Sequence, residues 1–523
     1  MSASSSRPLP EERLTFGVEL EFLIPALPVG KPDPREPGKR SCPLMRYPAE
    51  MTKDDNIGEY ILEQIRNLLK QIFEPPKKGL LASIFSIGKK AQFDDEFKAK
   101  ILSTYSQWNA AEDVSVEEPE FQEYDWFSVE VQSPVEFSCE QAFKAITYAT
   151  SEITKRYCCR VNPSTGFHVH VGQREERFAL GAMRRIASLF WAAEPLLMTL
   201  QPPVRRVNNY CQCVRQRSNL ALGTPVAPLH NNTVLGDPKL RPKACIRYLG
   251  RDCRFGEDPI SKREMNSNVE NVLAFEKTRQ PGHYEPFHIV PGETSVEQLT
   301  TAGKQPDASE HIDQIKLRIA ELKIKGKVPA IVPREETRIR SGPRIEMPQY
   351  SVAELEALDK VASDYGAGGL SFTYGFAKKD VGVFEGVRQI FEAPSSCHIA
   401  ELMGPHERFS LRIRGYKCLN TVRNIGLRTV EFRFGEGVMD SWAETMARIC
   451  VGLVRFAIHS SANDFVDLLA NCHVAANENG KYDVIDFIDD LGLFAEAQSA
   501  EQRIKRFQAE WGLKYVNPPA GTS

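Results

Sequence analysis

Two histidines separated by one valine, His168 and His170, have the residue types and spacing of a binding or catalytic site. They lie in the stretch Gly166-Phe-His-Val-His-Val-Gly, where polar and apolar residues alternate with the period of a β-strand. Both imidazoles would therefore leave the same face of the strand. Such a pair suits a metal or phosphate site, although an ordinary surface strand shows the same pattern.

Three further stretches place charged residues between apolar ones at the same spacing. They are Val18-Glu-Leu-Glu-Phe with Glu19 and Glu21, Val129-Glu-Val with Glu130, and Val430-Glu-Phe-Arg-Phe with Glu431 and Arg433. Each pattern alone is more typical of a solvated sheet face with a cross-strand ion pair. On one shared sheet, however, the charges would crowd together and would either shift their pKa values or bind a counter-ion. Carboxylate oxygens suit Mg²⁺ or Mn²⁺.

The composition is that of an ordinary globular protein, with 523 residues of which 42% are hydrophobic and 26% charged. A net charge of -3 argues against a generic binder of nucleic acids or membrane surfaces. The N-terminus lacks the apolar segment of a signal peptide, and no run reaches the roughly 18 apolar residues of a membrane span. We expect a cytoplasmic protein with no nucleic-acid and no membrane partner.

The 12 cysteines show no C-x-x-C spacing, which disfavours a zinc cluster and favours free thiols. Two tight pairs, Cys158-Cys159 and Cys211-Gln-Cys213, are interpreted as buried structural thiols.

Hydrophobic periodicity predicts the elements that must position the charged residues. Strands are expected over residues 14–24, 124–132, 166–172, 409–416 and 429–434. Helices are expected over residues 57–73, 138–157, 177–200, 309–324, 351–363, 441–461, 484–497 and 500–511. Capping boxes are predicted at Ser138 with Gln141 and at Ser351 with Glu354.

Changes in composition along the sequence divide the chain into a core and two insertions. Residues 1–13 are expected to be disordered, and the core comprises residues 14–25, 111–220 and 410–523. Residues 26–110 form a loop and helical insertion, and residues 221–409 form a large insertion that could cap the site.

A basic segment, Val204-Arg-Arg-Val-Asn-Asn-Tyr-Cys, follows the helix-ending Pro202-Pro203. Arg205 and Arg206 could bind a carboxylate or phosphate through two parallel hydrogen bonds. Capping of the helix end and surface pairing are the alternative.

Together, the motifs around Glu19, Glu130, His168, Arg205 and Glu431 occur in the order seen in the amidoligase family. That family resembles the carboxylate-amine ligases with the glutamine synthetase and glutamate-cysteine ligase catalytic fold. The resemblance implies an α+β fold, in which an antiparallel sheet forms a half-barrel with long helices on its outer face. ATP and Mg²⁺ (or Mn²⁺) would bind on the inner face.

The resemblance also implies roles for individual residues. Metal ligands would be Glu19, Glu21, Glu130 and Glu431. Arg433 would neutralise phosphate, with His168 and His170 beside the metal and phosphates. Substrate contacts would come from Arg205, Arg206, Asn208, Tyr210, Lys417 and Asn420. The chain departs from the family at Phe434-Gly-Glu-Gly, where a small residue and a threonine are usual.

The implied activity is ATP-dependent joining of a small carboxylic acid to an amine through an acyl phosphate. Glutamate or another amino acid is the family-level expectation for the acid. The alternatives are a guanidino-type phosphotransferase on the same fold, a zinc hydrolase using His168 and His170, and a non-catalytic scaffold. The hydrolase is disfavoured because the carboxylates suit hard cations and no H-E-x-x-H motif is present.

Overall fold

A computed structural model describes most of the chain outside the large central segment. The described residues are 14–34, 42–51, 56–73, 107–173, 178–224, 340, 342–369, 377, 380–393, 396–404, 408–414 and 429–516. The helix expected over 309–324 and the segment with Lys417 and Asn420 lie outside these ranges.

The described strands form a single open sheet. They are β1 (Thr15–Pro28), β2 (Met45–Tyr47), β3 (Asn109–Ala111), β4 (Asp125–Gln132), β5 (Glu136–Phe137), β6 (Gly166–Gly172), β7 (Leu411–Arg414) and β8 (Thr429–Glu436). Six of them lie side by side in the order β3-β4-β1-β6-β8-β7, and every pair in this order is antiparallel. The short strands β2 and β5 also pair with β1, β2 in the parallel direction.

This arrangement confirms a mixed helix-and-sheet protein built on an antiparallel sheet. Among the described strands, β3 and β7 are the two ends of the row, and no pairing joins them into a closed barrel. The glutamine synthetase-like half-barrel stays a prediction.

Helices cover the apolar face of the sheet. They are α1 (Ile57–Ile72), α2 (Glu140–Arg156), α3 (Leu180–Leu197), α4 (Val214–Arg217), α5 (Val352–Asp364), α6 (Val383–Glu392), α7 (Ser396–Met403), α8 (Trp442–His459), α9 (Ala462–Asn477), α10 (Val484–Asp490) and α11 (Phe494–Phe507). Within the described parts of the chain, no helix is both long and apolar enough to cross a membrane.

Alternation along the strands decides which side chains enter the core. Leu20 and Phe22 on β1 are buried on the face opposite Glu19 and Glu21. Two aromatic contacts show how the helices cover this face: Phe16 of β1 stacks on Phe143 of α2 at 4.5 Å between ring centroids. Phe190 of α3 lies 5.6 Å from Phe432 of β8. Burial of this apolar face leaves the charged side chains together on the other.

Most expected elements are confirmed, with differences at helix ends. The capping box at Ser351 and Glu354 is present. The one at Ser138 is wrong, because the helix begins at Glu140 and Cys139 makes no side-chain cap. The Ser138 amide instead donates to the Leu14 carbonyl at 3.1 Å, so this residue belongs to the edge of the sheet.

The C-terminal helices are divided differently from the prediction. α8 ends at His459, and Ser461 caps α9, which the periodicity did not reveal. The helix expected over 484–497 ends at Asp490, and the next begins at Phe494 after a turn at Gly492, whose φ is 77°.

The described part of the region assigned to the large insertion packs into the same core as the sheet. Val387 and Ile390 of α6 and Ile399 of α7 are fully buried in one cluster with α3 and β8. The Trp191 indole of α3 donates to the Gly382 carbonyl at 3.1 Å. These residues therefore belong to the helical layer that packs on the apolar face of the sheet.

A substitution at Gly386 of α6 tests this packing. A Cβ atom at Gly386 would lie 2.0 Å from Nε1 of Trp191, so we expect Gly386→Ala to destabilise the protein by about 1–3 kcal/mol. Gly58 is the control, because its Cβ would meet nothing closer than 3.6 Å. Urea unfolding should show a lower midpoint for Gly386→Ala than for Gly58→Ala. Equal midpoints would contradict this account of α6.

Candidate metal and anion site

The first half of the charged face is formed by β4, β1 and β6. On one side of β1, Glu21 pairs directly with Glu130 of β4. On the other side, Glu19 pairs with His168 of β6. Cross-strand partners on one face lie close together, so this register places carboxylates beside carboxylates and imidazoles beside carboxylates.

The second half is formed by β6, β8 and β7. His170 pairs with Glu431 of β8, and Glu431 pairs on its other side with Arg412 of β7. Arg433 follows two residues after Glu431 on the same face. The structure thus brings together seven residues that the motifs selected: Glu19, Glu21, Glu130, His168, His170, Glu431 and Arg433.

A first group of potential metal ligands comprises Glu19, His170 and Glu431, which offer atoms within 4.8 Å of one another. His170 Nε2 lies 3.2 Å from Glu19 Oε1 and 4.0 Å from Glu431 Oε1. This buried nitrogen makes no aligned hydrogen bond to any residue that the structure describes. The Nδ1 atom on the other side of the ring lies 3.1 Å from the Thr429 hydroxyl, which orients the imidazole.

A second group comprises Glu21, Asp113 and Glu130, again with atoms within 4.8 Å of one another. Asp113 was missed in the sequence, because it lies in the loop between β3 and β4, where no periodic pattern points to one face. Its carboxylate accepts from the amide and the hydroxyl of Ser115, at 2.8 and 2.7 Å. The loop therefore holds Asp113 towards the two strand glutamates.

The two groups differ in their electrostatics. Burial alone would raise the pKa of Glu19, but the neighbouring side chains of His170 and His168 hold this pKa well below its usual range. Burial would also raise the pKa of Glu431, but the neighbouring side chains of Arg433, His170 and Arg412 lower this pKa. The first group is therefore ionised through its own neighbours.

In the second group, the nearby His168, Arg433 and Arg205 do not offset the effect of burial. Burial raises the pKa of Glu21. Burial and the charges of Glu19 and Glu21 raise the pKa of Glu130 to about 8, against a hydrogen bond from Gln132 that lowers it. A carboxyl group in this state carries a proton at neutral pH, and a cation bound nearby would displace that proton.

Two guanidinium groups stand at the opposite end of the face. Arg433 donates to Glu431 Oε1 at 2.6 Å, and Arg412 donates to Glu431 Oε2 at 3.4 Å. Arg412 was also missed as a site residue, although it alternates with Leu411 and Ile413 in the strand predicted over residues 409–416. Both arginines thus lie on the β8 and β7 side of the face, with Glu431 between them, and the other acids lie on or beside β4 and β1.

Gly166 lets the backbone approach this cluster. Its amide donates to Glu21 Oε2 at 2.6 Å. A Cβ atom at this position would lie 2.9 Å from His168 Nε2 and 3.1 Å from Glu21 Oε2. The glycine that opens the histidine motif is therefore required by space.

The described residues fit divalent cations. Five carboxylates and an unsatisfied imidazole nitrogen face only two guanidinium groups, which leaves an excess of negative charge. Oxygen-rich ligand sets are those that Mg²⁺ and Mn²⁺ prefer, and an imidazole is compatible with Mn²⁺. Neither group contains a cysteine.

Arg205 is buried near Glu21, where its charge opposes the rise in the pKa of that carboxyl group. Its guanidinium donates to the Thr165, Arg433 and Gly435 carbonyls, at 3.3, 2.9 and 2.7 Å. Only 2% of the residue is exposed. It therefore joins the ends of β6 and β8, and its contact with substrate stays a prediction.

The other predicted substrate residues lie along the segment after Pro203. The Arg206 guanidinium lies 5.4 Å from the ring of Tyr350, and the Asn208 side chain donates to the Pro163 carbonyl at 2.7 Å. Arg408 stacks over Tyr210 at 5.0 Å. Roles for these residues and for Lys417 and Asn420 stay predictions.

Glu194 of α3 is a buried carboxylate that sequence patterns could not distinguish from a surface residue. It accepts from the Val214 and Arg215 amides at 2.9 and 2.8 Å, and also from Cys213 and Ser410. Burial raises its pKa, although these bonds oppose the shift. Through these hydrogen bonds Glu194 connects the start of α4 to Ser410, the residue that precedes β7.

The comparison with known families agrees with the motifs. Residues 12–221 match the family model described as a putative amidoligase enzyme. The family resemblance is thereby confirmed for this segment, which contains both acids of β1, Asp113, Glu130 and the two histidines. Glu431, Arg433 and Arg412 lie beyond it. No curated protein and no solved structure gives a significant match to the chain.

The raised pKa of Glu130 predicts how stability depends on pH in metal-free protein. Between pH 4.5 and about 8 the folded chain keeps a proton that the unfolded chain has released, so the free energy of unfolding falls as pH rises. We expect this loss, at most about 1.4 kcal/mol per pH unit for one group, to be smaller in Glu130→Gln, where only the other raised carboxyl groups such as Glu21 contribute. Urea unfolding in EDTA at pH 5 to 8.5 measures the difference. Parallel curves for both proteins would contradict it.

The two acid groups predict two separable cation sites. In Mn²⁺ titrations followed by electron paramagnetic resonance, Asp113→Asn should weaken one site by about tenfold or more and leave the other. Glu431→Gln should do the reverse. Glu63→Gln is the control, since this half-exposed carboxylate pairs with Arg66 and Lys70 on α1. Two unchanged sites in Asp113→Asn would exclude that residue as a ligand.

Proposed function

We propose that the protein is an ATP-dependent carboxylate-amine ligase that forms an amide through an acyl phosphate. The single observation that carries this proposal is the charged face, on which two acid groups lie beside two arginines. The family match supports a ligase, because amide formation is what an amidoligase does. A half-barrel of the glutamine synthetase type is part of the proposal.

The charge distribution suits a nucleotide whose phosphates span the face. Glu21, Asp113 and Glu130 would hold one divalent cation, and Glu19, His170 and Glu431 a second. When bound, these cations neutralise phosphate oxygens and orient the transferred group. Arg433 and Arg412 would contact the phosphoryl oxygens where negative charge develops.

The reaction needs activation because a carboxylate oxygen is a poor leaving group. A carboxylate oxygen of the acid attacks the γ-phosphorus of ATP, and the bond to the ADP oxygen breaks. The amine nitrogen then attacks the carbonyl carbon of the acyl phosphate, and inorganic phosphate leaves. The proton lost by the amine passes to a carboxylate of the charged face. His168, held by Glu19 at 3.0 Å and near Glu21 at 3.4 Å, keeps the acids in place throughout.

Calorimetry with Mg-ATP tests nucleotide binding without knowledge of the acid or amine. We expect binding that EDTA abolishes, and that Glu19→Gln and Glu431→Gln weaken by about tenfold or more. Glu63→Gln should bind as the unchanged protein does. Equal binding by all four proteins, or no binding of Mg-ATP by the unchanged protein, would overturn the proposed role of this face.

Product analysis separates the ligase from a phosphotransferase. With pools of amino acids and amines, a ligase releases ADP and inorganic phosphate only when both an acid and an amine are present. A phosphotransferase yields a stable phosphorylated compound from one acceptor. Trapping with hydroxylamine should give a hydroxamate from the acyl phosphate. Accumulation of a phosphorylated guanidine instead would show the phosphotransferase reaction.

A further inference from the structure

Cys42 and Cys158 bring their sulfur atoms together on the side of the sheet next to β2. The two Sγ atoms lie 2.7 Å apart, although the residues are 116 positions apart in the chain. A disulfide bond measures about 2.05 Å, so the atoms need to move by less than 1 Å to bond. The metal groups do not include either residue.

Hydrogen bonds to the backbone hold the two cysteines close to each other. The Cys158 amide donates to the Pro43 carbonyl at 2.9 Å, and its thiol lies 3.0 Å from the Cys42 carbonyl. Two residues later, Arg160 exchanges both backbone hydrogen bonds with Leu23 of β1, at 2.8 and 2.9 Å. The position of Cys158 is therefore fixed relative to the sheet.

Cys159 is the neighbour that could compete for Cys42. Burial and the nearby sulfurs of Cys42 and Cys158 raise its pKa. Its thiol points towards the Tyr157 carbonyl, at 3.5 Å. Cys158 is thus better placed than Cys159 to bond with Cys42. Cys159, one position along the chain, provides a control.

We propose that Cys42 and Cys158 form a redox-sensitive disulfide that links the segment before β2 to the segment leading into β6. This inference is independent of the proposed ligase activity. It concerns the support of the two strands that carry Glu19, Glu21, His168 and His170, rather than the reacting groups themselves.

The oxidant is a two-electron oxidant of the peroxide class. Cys42, which is partly exposed, attacks a peroxide oxygen as a thiolate, and the O–O bond breaks to release water and leave a sulfenic acid. The Cys158 sulfur then attacks the sulfenic sulfur, the S–O bond breaks and a second water leaves. Two thiols and one hydrogen peroxide give one disulfide and two waters. A thiol reductant reverses the cross-link by exchange.

Peptide mapping of the full-length protein tests this pairing. Folded protein is treated with a small excess of hydrogen peroxide, alkylated and digested without reduction. We expect one peptide pair joining Cys42 to Cys158, present in Cys159→Ser and Cys139→Ser and absent in Cys42→Ser and Cys158→Ser. Thermal unfolding should show a higher midpoint for the oxidised protein than for the reduced one, and no such difference in Cys42→Ser.

Three results would overturn the proposal. Separately alkylated Cys42 and Cys158 after peroxide treatment would show that the pair does not bond. A peptide joining Cys42 to Cys159 would show that the wrong partner was chosen. Loss of the cross-link in Cys159→Ser, in protein that still unfolds cooperatively at the usual midpoint, would show that Cys158 is not sufficient.

Discussion

Repulsion between buried carboxylates is the interaction on which this structure depends. Four of them share one side of a sheet whose other side is committed to the core, and Asp113 joins them from the loop between β3 and β4. The chain answers this repulsion in two ways. Around Glu431 it supplies arginines and an imidazole, and around Glu130 it retains a proton. The first response keeps charge in place, and the second leaves an acid that a cation can ionise.

The apolar side makes that concentration of charge tolerable. Helices α3 and α8 are almost wholly buried and hold the sheet from beneath, and α6 and α7 extend the same layer. Arg205 adds a polar fastening by joining carbonyls at the ends of two strands. Glu194 does the same for the approach to β7. The helices and these polar contacts together fix the positions of the strands.

Much of the site was predictable because strand alternation depends only on local sequence. The E-x-E, H-x-H and E-x-R patterns placed their side chains on one face, and the sheet order then brought them together. Asp113 was not predictable, because a loop residue has no period and its direction is set by hydrogen bonds to Ser115. Arg412 was missed although its strand was predicted, because its pairing with Glu431 depends on the register between β7 and β8. Ser138 failed as a helix cap because pairing with Leu14 competed for its backbone. Which acids share a cation depends on register between strands far apart in the chain, and no local pattern contains that information.

The pairing of β6 with β8 has a consequence for how the protein is made. His170 and Thr429 touch across 259 residues of chain, so the ribosome must add that length after the histidine strand before the arginine strand can join it. At bacterial to eukaryotic rates this takes roughly 15 to 50 s. During that interval the nascent chain already holds Glu19, Glu21, Asp113 and Glu130 but lacks both arginines, and β6 presents an unpaired edge. The emerging chain is therefore exposed to non-native strand pairing, and binding by chaperones at this edge would protect it until β8 arrives.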